Sequence, residues 1–200
     1  MREKARSVKI LAVTKNVELP QIIEAIEAGI TDIGENRVQE AKRKFPEIKN
    51  KYPNVKYHMI GHLQKNKVKE ALELFDVIQS VDSLELAEEI NKRARKPVDI
   101  FIEVNTSGEE SKYGVDPEKA VELVRSASNL KNLKINGLMT IGPLTDDKEK
   151  VRSCFKLLRE LKEKAGVKLL SMGMSDDYPL AIEEGSDIIR IGRTIFHREV

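Results

Sequence analysis

The chain has 200 residues, of which 40% are hydrophobic and 34% charged, and its 35 Lys and Arg against 33 Asp and Glu leave a net charge of +2. This composition is typical of one folded globular domain and excludes a disordered or fibrous chain. The balanced charge also lacks the one-signed field of a dedicated nucleic-acid-binding protein.

The sequence gives few signs of a membrane or secretory destination. No apolar run approaches the length of a transmembrane helix, and the charged start MREKARSVKI is not followed by the apolar stretch of a signal peptide. The single cysteine, Cys154, cannot form an internal disulfide, which agrees with a reducing compartment. We therefore expect a cytoplasmic protein without membrane contact, in which Cys154 is a packed thiol of a helix.

Short apolar runs rich in β-branched residues alternate with amphipathic helical stretches along the chain, which is typical of βα units and a parallel sheet. In chain order the predicted strands are 8–14, 30–34, 55–61, 76–81, 98–104, 135–141, 167–172 and 187–192. Eight such repeats in a chain of this size predict an α/β fold, a (β/α)₈ TIM barrel that forms a single domain over residues 1–200.

Helix-end signals separate the strands. Pro20 and Gly29 bracket the first helix, and Asp82 is the predicted N-cap of the helix after strand 4. The last strand ends a few residues before the C-terminus, so the sequence predicts no full eighth helix. Only the short segment MREKARS precedes the first strand, which is the expected shortened N-terminus. We expect either a thinly covered seam between strands 8 and 1 or a subunit contact there.

The C-terminal ends of the strands carry the site in such a barrel. Lys15 follows strand 1, and glycine-flanked turns follow strands 7 and 8, where backbone N–H groups and helix starts commonly hold a phosphate. Ser175 adds a hydroxyl donor to the first turn, and Gly192 permits close backbone approach in the second.

Lys15 stands at the end of an apolar strand. A lysine surrounded by apolar barrel residues loses preference for its charged form, and a neutral amine condenses with an aldehyde. The cofactor that carries both a phosphate and an aldehyde is pyridoxal 5′-phosphate (PLP), which enzymes hold as a lysine Schiff base.

Arg190 adds a second indication of PLP. Strand alternation places it on the face of Ile188, and a permanent cation beside the pyridine nitrogen would weaken the electron sink of the ring. Either Glu103 or Asn105 is its neighbour on strand 5, and the sequence leaves both open.

Several motifs together carry a family resemblance: AVTK, GENRVQEA, HMIGHLQKNK, SVDS, GLMTIGP, SMGMSDD and RIGRTIF. From Lys9 to Phe196 the chain resembles the YggS/PROSC family of pyridoxal phosphate homeostasis proteins, which are related to the barrel domain of alanine racemase. The resemblance implies a protein that binds, buffers or delivers PLP, with no established catalytic turnover. It further implies apo PLP-dependent enzymes as recipients, and either a monomer or a weak homodimer.

The resemblance also implies roles for individual residues. Lys15 would be the Schiff-base lysine, Asn36 a neighbour of the ring and Arg190 the partner of the pyridine nitrogen, while Ser175 and the backbone of Met174 and Gly192 would hold the phosphate. Arg193 would add charge near the phosphate if its side chain turns inward. Two features depart from the family: its N-terminal helix is absent, and His197, to which we assign no role, replaces a glycine.

An amino-acid racemase that depends on PLP is the main alternative function. Racemisation needs an acid or base on each face of the substrate α-carbon, and Lys15 serves only one face. In alanine racemase the second base is supplied through a separate C-terminal domain, which we do not find here.

Two further alternatives are disfavoured. His58 and His62 have the spacing of paired zinc ligands on a helix, but a strand end and a glycine turn lie between them. The lysines of residues 65–69 lack the interleaved aromatic residues of a nucleic-acid-binding surface. We therefore predict neither a metal site nor nucleic-acid binding.

Overall fold

Eight parallel strands form one closed barrel in the computed structural model, which describes residues 8–196. In order around the barrel they are β1 (Lys9–Val13), β2 (Asp32–Glu35), β3 (Lys56–Met59), β4 (Val77–Val81), β5 (Val98–Glu103), β6 (Leu133–Met139), β7 (Leu169–Ser171) and β8 (Ile188–Ile191). Each predicted strand overlaps an observed one, which confirms the single-domain (β/α)₈ barrel.

Helices connect the strands on the outside of the barrel. They are α1 (Leu19–Glu27), α2 (Val38–Lys51), α3 (Val68–Leu74), α4 (Leu84–Arg93), α5 (Pro117–Ala127), α6 (Lys148–Ala165), α7 (Tyr178–Glu183) and α8 (Arg193–Phe196). Helix α8 has four residues, and both His197 and the shortened N-terminus lie outside the described residues. Within residues 8–196, no helix is both long and apolar enough to cross a membrane.

The barrel closes where β1 pairs in parallel with β8, from Lys9 opposite Ile188 to Ala12 opposite Ile191. Because all eight strands run in the same direction, their C-terminal ends open at one end of the barrel. Residues that follow different strands in the sequence therefore meet around one mouth.

Two apolar layers hold the barrel. An inner cluster comes from six parts of the chain, namely Leu11, Ile60, Val77, Phe101, Met139 and Ile188. A larger cluster fills the space between the strands and the helices and includes Phe45, Tyr57 and Phe155. Since strand side chains alternate between faces, Arg190 lies on the same inward face as Ile188, as the sequence predicted.

The helix ends follow the sequence signals with one exception. Pro20 lies in the first turn of α1, and Gly29 follows the helix with a φ of +110°, a conformation that favours glycine. The prediction that Asp82 caps α4 is wrong, because Ser83 is the N-cap and its hydroxyl oxygen accepts the Leu86 N–H at 3.4 Å. Ser83 Oγ in turn donates to the Asp82 carboxylate.

The seam between β1 and β8 leaves an apolar side chain in solvent. Ile10, opposite Ile189 in this pair, is 45% exposed. Residues 1–7 and 197–200, the chain ends next to this seam, lie outside the described residues, so the thin cover and the subunit contact both stay predictions.

Gly137 in β6 offers a test of strand packing. A Cβ at this position would lie 2.0 Å from the backbone oxygen of Leu169 in β7, so Gly137→Ala must push the two strands apart. We expect its free energy of unfolding to fall by roughly 1–3 kcal/mol, measured by urea unfolding. A matched control is Gly192→Ala, whose Cβ would have the carbonyl oxygen of Val13 as its nearest neighbour, at 3.4 Å. Equal unfolding midpoints for the two variants would contradict this packing argument.

Candidate functional site

A cavity of about 770 Å³ opens at the C-terminal end of the barrel. Four of the seven predicted site residues line it, namely Lys15, Asn36, Met174 and Arg190. The other three, Ser175, Gly192 and Arg193, lie outside its wall on the chain that follows β7 and β8. The fold therefore collects residues from four separate strand ends around one space.

A larger groove of about 920 Å³ lies at the opposite end of the barrel. Its wall includes strand starts and the residues just before them, such as Lys56, Asp76 and Asp99, and it contains none of the predicted site residues. Size alone therefore does not identify the site, because the C-terminal face carries the active sites of this fold.

Lys15 lies at the rim of the mouth rather than inside it. The structure differs here from the expectation that apolar barrel residues surround the lysine, because Lys15 is exposed while Thr14 before it is buried. The chain leaves the barrel at this point, and Asn16 adopts a φ of +56° on the way to α1. Lys15 thus reaches the cavity from its edge.

A charged cluster behind β1 fixes the backbone that carries Lys15. Lys44 of α2 donates from Nζ to the carbonyl oxygen of Thr14 at 2.9 Å and pairs with Glu35 at 3.3 Å and Glu40 at 3.4 Å. The Thr14 hydroxyl donates to Glu35 Oε2 at 2.9 Å. Burial raises the pKa of Glu35, and the Asn36 N–H and the Lys44 charge oppose this rise.

Asn36 is held against the loop that follows β3. Its N–H donates to Glu35 Oε1 at 3.0 Å, and Gly61 packs directly on its backbone. A Cβ at position 61 would lie 2.4 Å from the carbonyl oxygen of Asn36. The glycine therefore permits the close approach that places Asn36 in the cavity wall.

Arg190 is the buried cation of the site, with 4% of its surface exposed. It donates from Nη1 to Ser171 Oγ at 2.8 Å and from Nη2 to the carbonyl oxygen of Thr140 at 2.6 Å. Burial lowers the pKa of Arg190 to about 10, although Glu103 and Asp177 oppose this shift. The guanidinium therefore stays charged at neutral pH, and it has further N–H groups for a ligand in the cavity.

Glu103, at the end of β5, is the carboxylate that faces Arg190. It is 3% exposed and lines the cavity, and burial and the charge of Asp82 raise its pKa to about 7, whereas Arg190 acts in the opposite direction. Asn105 turns away into its own loop, where its amide donates to the carbonyl oxygen of Glu109 at 2.9 Å. The structure thereby decides between the two neighbours that the sequence left open.

The two turns predicted to hold a phosphate are tied to each other. Arg193 pairs with Asp176 in an exposed ion pair, so its side chain does not turn inward. The N–H of Met174 already donates to Asp177 Oδ1 at 2.6 Å. In α8 the N–H groups of Ile195 and Phe196 donate to the carbonyl oxygen of Gly192 at 3.0 Å, which leaves those of Arg193 and Thr194 without an acceptor inside the helix. Those N–H groups and the Ser175 hydroxyl are the donors these turns offer.

The two histidines of the zinc alternative lie in different places. His58 is buried inside the barrel and contacts Asp32 and Gln79. His62 stacks on Tyr113 at the mouth, with ring centroids 3.9 Å apart. Among residues 8–196, no group of three His, Cys, Asp or Glu side chains converges as metal ligands would.

Sequence reasoning missed two groups of residues. Polar residues inside apolar strands, His58, Gln79 and Ser171, lie in the barrel interior and connect to Arg190. Their polarity at inward-facing strand positions was a usable signal. Lys44 offered none, because α2 contains several lysines and only the tertiary structure brings this one to β1.

Sequence comparisons relate the chain to known proteins. The model of the family described as "Alanine racemase, N-terminal domain" matches residues 1–199. A protein of Aquifex aeolicus, named "Pyridoxal phosphate homeostasis protein", is 43% identical over 197 residues, which cover 94% of this chain and 86% of that protein.

Comparison of structures gives two kinds of match. PipY of Synechococcus elongatus, solved with PLP bound, aligns with a TM-score of 0.86 and 37% identity over 95% of this chain and 92% of that chain. Alanine racemase of Clostridium difficile aligns with a TM-score of 0.77 over 97% of this chain and 56% of that one, but at 16% identity. The second match concerns the fold alone.

The raised pKa of Glu103 predicts that the stability of the protein depends on pH. Between its ordinary pKa of 4.5 and its folded value of about 7, the native state holds a proton that the unfolded state has released. Wild-type stability therefore falls as the pH rises through this window. Glu103→Gln does not have this loss, so the free energy of unfolding of the variant minus that of wild type should rise by about 3 kcal/mol from pH 5 to pH 8.

Urea unfolding at the two pH values measures this difference. The control is Glu118→Gln, which removes an exposed carboxylate of α5. A difference in free energy of unfolding between Glu103→Gln and wild type that does not change with pH would contradict the raised pKa of Glu103.

Proposed function

We propose that this chain, which belongs to the family of pyridoxal phosphate homeostasis proteins, binds PLP at the C-terminal mouth of its barrel. Residues 1–200 act as one PLP-binding domain that binds, buffers or delivers the cofactor. The observation that carries this proposal is that Lys15 and Arg190, a free amine at the rim and a buried guanidinium below it, line the same cavity.

The cavity suits a ligand of this kind. Its volume of about 770 Å³ lies in the range of small-molecule and cofactor sites. Gly192 has no positive φ, and the nearest neighbour of a Cβ there would be the carbonyl oxygen of Val13, at an ordinary contact distance of 3.4 Å. Neither packing nor backbone conformation therefore demands glycine, which supports a role in leaving room for a phosphate.

When bound, PLP supplies an aldehyde that condenses with a lysine amine to a Schiff base, with release of water, and a pyridine ring that draws electrons. Lys15 is the amine we assign to it, held in place through the contact of Lys44 with Thr14. Arg190 can only donate hydrogen bonds, so it suits an unprotonated ring nitrogen. Asn36 forms the wall beside the ring.

The phosphate belongs at the turns after β7 and β8. Ser175 offers its hydroxyl, and the N–H groups of Arg193 and Thr194 in the first turn of α8 lack acceptors inside the helix. The N–H of Met174 joins them only if Asp177 releases it. Arg193 adds its charge only if it leaves Asp176.

Racemase activity is the weaker hypothesis. Its support is the likeness to alanine racemase, which at 16% identity is a likeness of fold and reaches only 56% of that chain. Racemisation further needs a second acid or base opposite Lys15. Binding and transfer of PLP need only the reversible bond to Lys15 and the anchors around it.

The cellular setting follows from this function. Cys154 is buried and donates its S–H to the carbonyl oxygen of Thr106 at 3.2 Å, which suits a reduced thiol in the cytoplasm. Delivery of PLP requires a recipient, and apo forms of PLP-dependent enzymes are the recipients we propose. The assembly state, a monomer or a weak homodimer, is part of the same proposal.

The amine of Lys15 provides the first test. The purified chain mixed with PLP should gain a visible absorption band, and borohydride should fix the cofactor on Lys15 as a secondary amine found by peptide mass. Lys15→Ala should lose both signals, because no other amine takes its place. Lys67→Ala removes a second lysine of the same cavity wall and should keep both. An unchanged spectrum of the wild type, or a label on Lys67, would reject the assignment.

Gly192 provides the second test. Gly192→Ala should change the free energy of unfolding by less than about 0.5 kcal/mol, because its Cβ meets no close neighbour. The dissociation constant for PLP, measured by absorbance titration, should rise by about tenfold or more, because the methyl group would obstruct the phosphate. An unchanged dissociation constant would show that this turn does not hold the phosphate.

A further inference from the structure

A chain of hydrogen bonds begins at Arg190 and runs into the barrel interior. Arg190 Nη1 donates to Ser171 Oγ at 2.8 Å, and Ser171 Oγ donates to Gln79 Oε1 at 2.6 Å. The Ser171 hydroxyl has a single hydrogen, which is used for Gln79, so its oxygen is free to accept from Arg190.

The chain continues to the opposite side of the barrel. Gln79 Nε2 lies 3.0 Å from His58 Nδ1, and His58 Nε2 lies 3.0 Å from Asp32 Oδ1. An amide nitrogen only donates, so Nδ1 must be the acceptor and the imidazole proton must be on Nε2. Lys9 donates to the same carboxylate at 3.1 Å. Every donor from Arg190 onward thus points toward Asp32.

All members of this relay (Arg190, Ser171, Gln79, His58 and Asp32) are buried, with exposed fractions between 0% and 4%. Burial alone would raise the pKa of Asp32, but the hydrogen bonds from His58, Thr31 and Lys9 bring it down to about 2. Asp32 is therefore a carboxylate at neutral pH. Polar side chains in a barrel interior cost free energy unless each is bonded, and here each bond depends on the next.

We infer that Ser171, Gln79 and His58 are positioning residues that hold the guanidinium of Arg190 in one orientation at the ligand cavity. The inference rests on the proposed function, because that cavity is the proposed PLP site. The relay lies beneath the cavity and adds no contact to a ligand of its own. Its effect reaches the site only through Arg190.

The direction of the relay is what makes it a positioning device. If the Gln79 amide flipped, its nitrogen would face Ser171, and the serine oxygen would then accept from both Gln79 and Arg190 while its hydrogen lost its acceptor. His58 prevents this flip as long as its Nδ1 carries no proton. The tautomer of His58 therefore decides how firmly Ser171 accepts from Arg190.

The first measurement needs no PLP. The chain has three histidines, so ¹⁵N-histidine labelling gives three imidazole signal sets, assigned with His62→Gln and His197→Gln. In the wild type, His58 should show a protonated Nε2 and an unprotonated Nδ1. A protonated Nδ1 at neutral pH would overturn the relay, whatever the chain binds.

Transmission along the relay is tested with a matched pair of serines. Ser171→Ala removes the donor to Gln79 Oε1, so the amide loses one of its two fixed contacts and the His58 Nδ1 signal should shift from its wild-type position, while Asp32 keeps the proton on Nε2. Ser80→Ala is the control, since Ser80 is equally buried and its hydroxyl has no partner among the described residues. A His58 signal that is identical in both variants would overturn the inference.

The effect on the site is read with PLP. Ser171→Ala removes an acceptor of Arg190, and Gln79→Met removes the acceptor that fixes the Ser171 hydroxyl. Both variants should raise the dissociation constant for PLP about tenfold and shift its visible absorption maximum. Ser80→Ala should match the wild type in both. Wild-type values in Ser171→Ala and Gln79→Met would overturn the inference while the proposed function stands. A wild type that takes up no PLP would overturn the proposed function and with it the contact of Arg190 with PLP. The His58 signal would then still show whether the relay exists.

Discussion

Burial of a guanidinium beneath the mouth of the barrel is the constraint on which the rest of the site depends. Arg190 comes from β8, and only residues of other strands can supply its acceptors: Ser171 from β7 and the carbonyl oxygen of Thr140 after β6. The same burial raises the pKa of Glu103 on β5, so that the carboxyl group and the cation partly compensate each other. Closure of the barrel is what brings these four strand ends within reach.

Lys15 is positioned through its backbone, whereas Arg190 is positioned through its buried side chain. Its amine is exposed, and order comes from the backbone before it, where Thr14 is buried and bonded to Glu35 and Lys44. A charge-assisted cluster behind the strand thus fixes the base of a lysine while leaving its tip free. The site combines a buried cation below with an exposed amine at the rim, which suits the reversible binding that we propose for PLP.

Much of this arrangement follows from local signals. Eight apolar runs with helical stretches between them were sufficient for the barrel, and the two-residue period of strands was sufficient to put Arg190 on the face of Ile188. Local signals were less reliable where two neighbours compete for one role. Asp82 and Ser83 are both good N-cap residues, and in the structure Ser83 takes the position while Asp82 accepts a hydrogen bond from its hydroxyl.

The sequence by itself determined the barrel, the end of it that carries the site, and the residue types that suit an aldehyde and a phosphate, because these depend on periodicity and on chemistry at strand ends. Only the tertiary structure decided that Glu103 rather than Asn105 faces Arg190, that Lys44 supports the end of β1, and that His58 joins the relay beneath the cavity. Each of these contacts joins residues far apart in the chain, and its geometry depends on barrel closure and strand register, which no local pattern records.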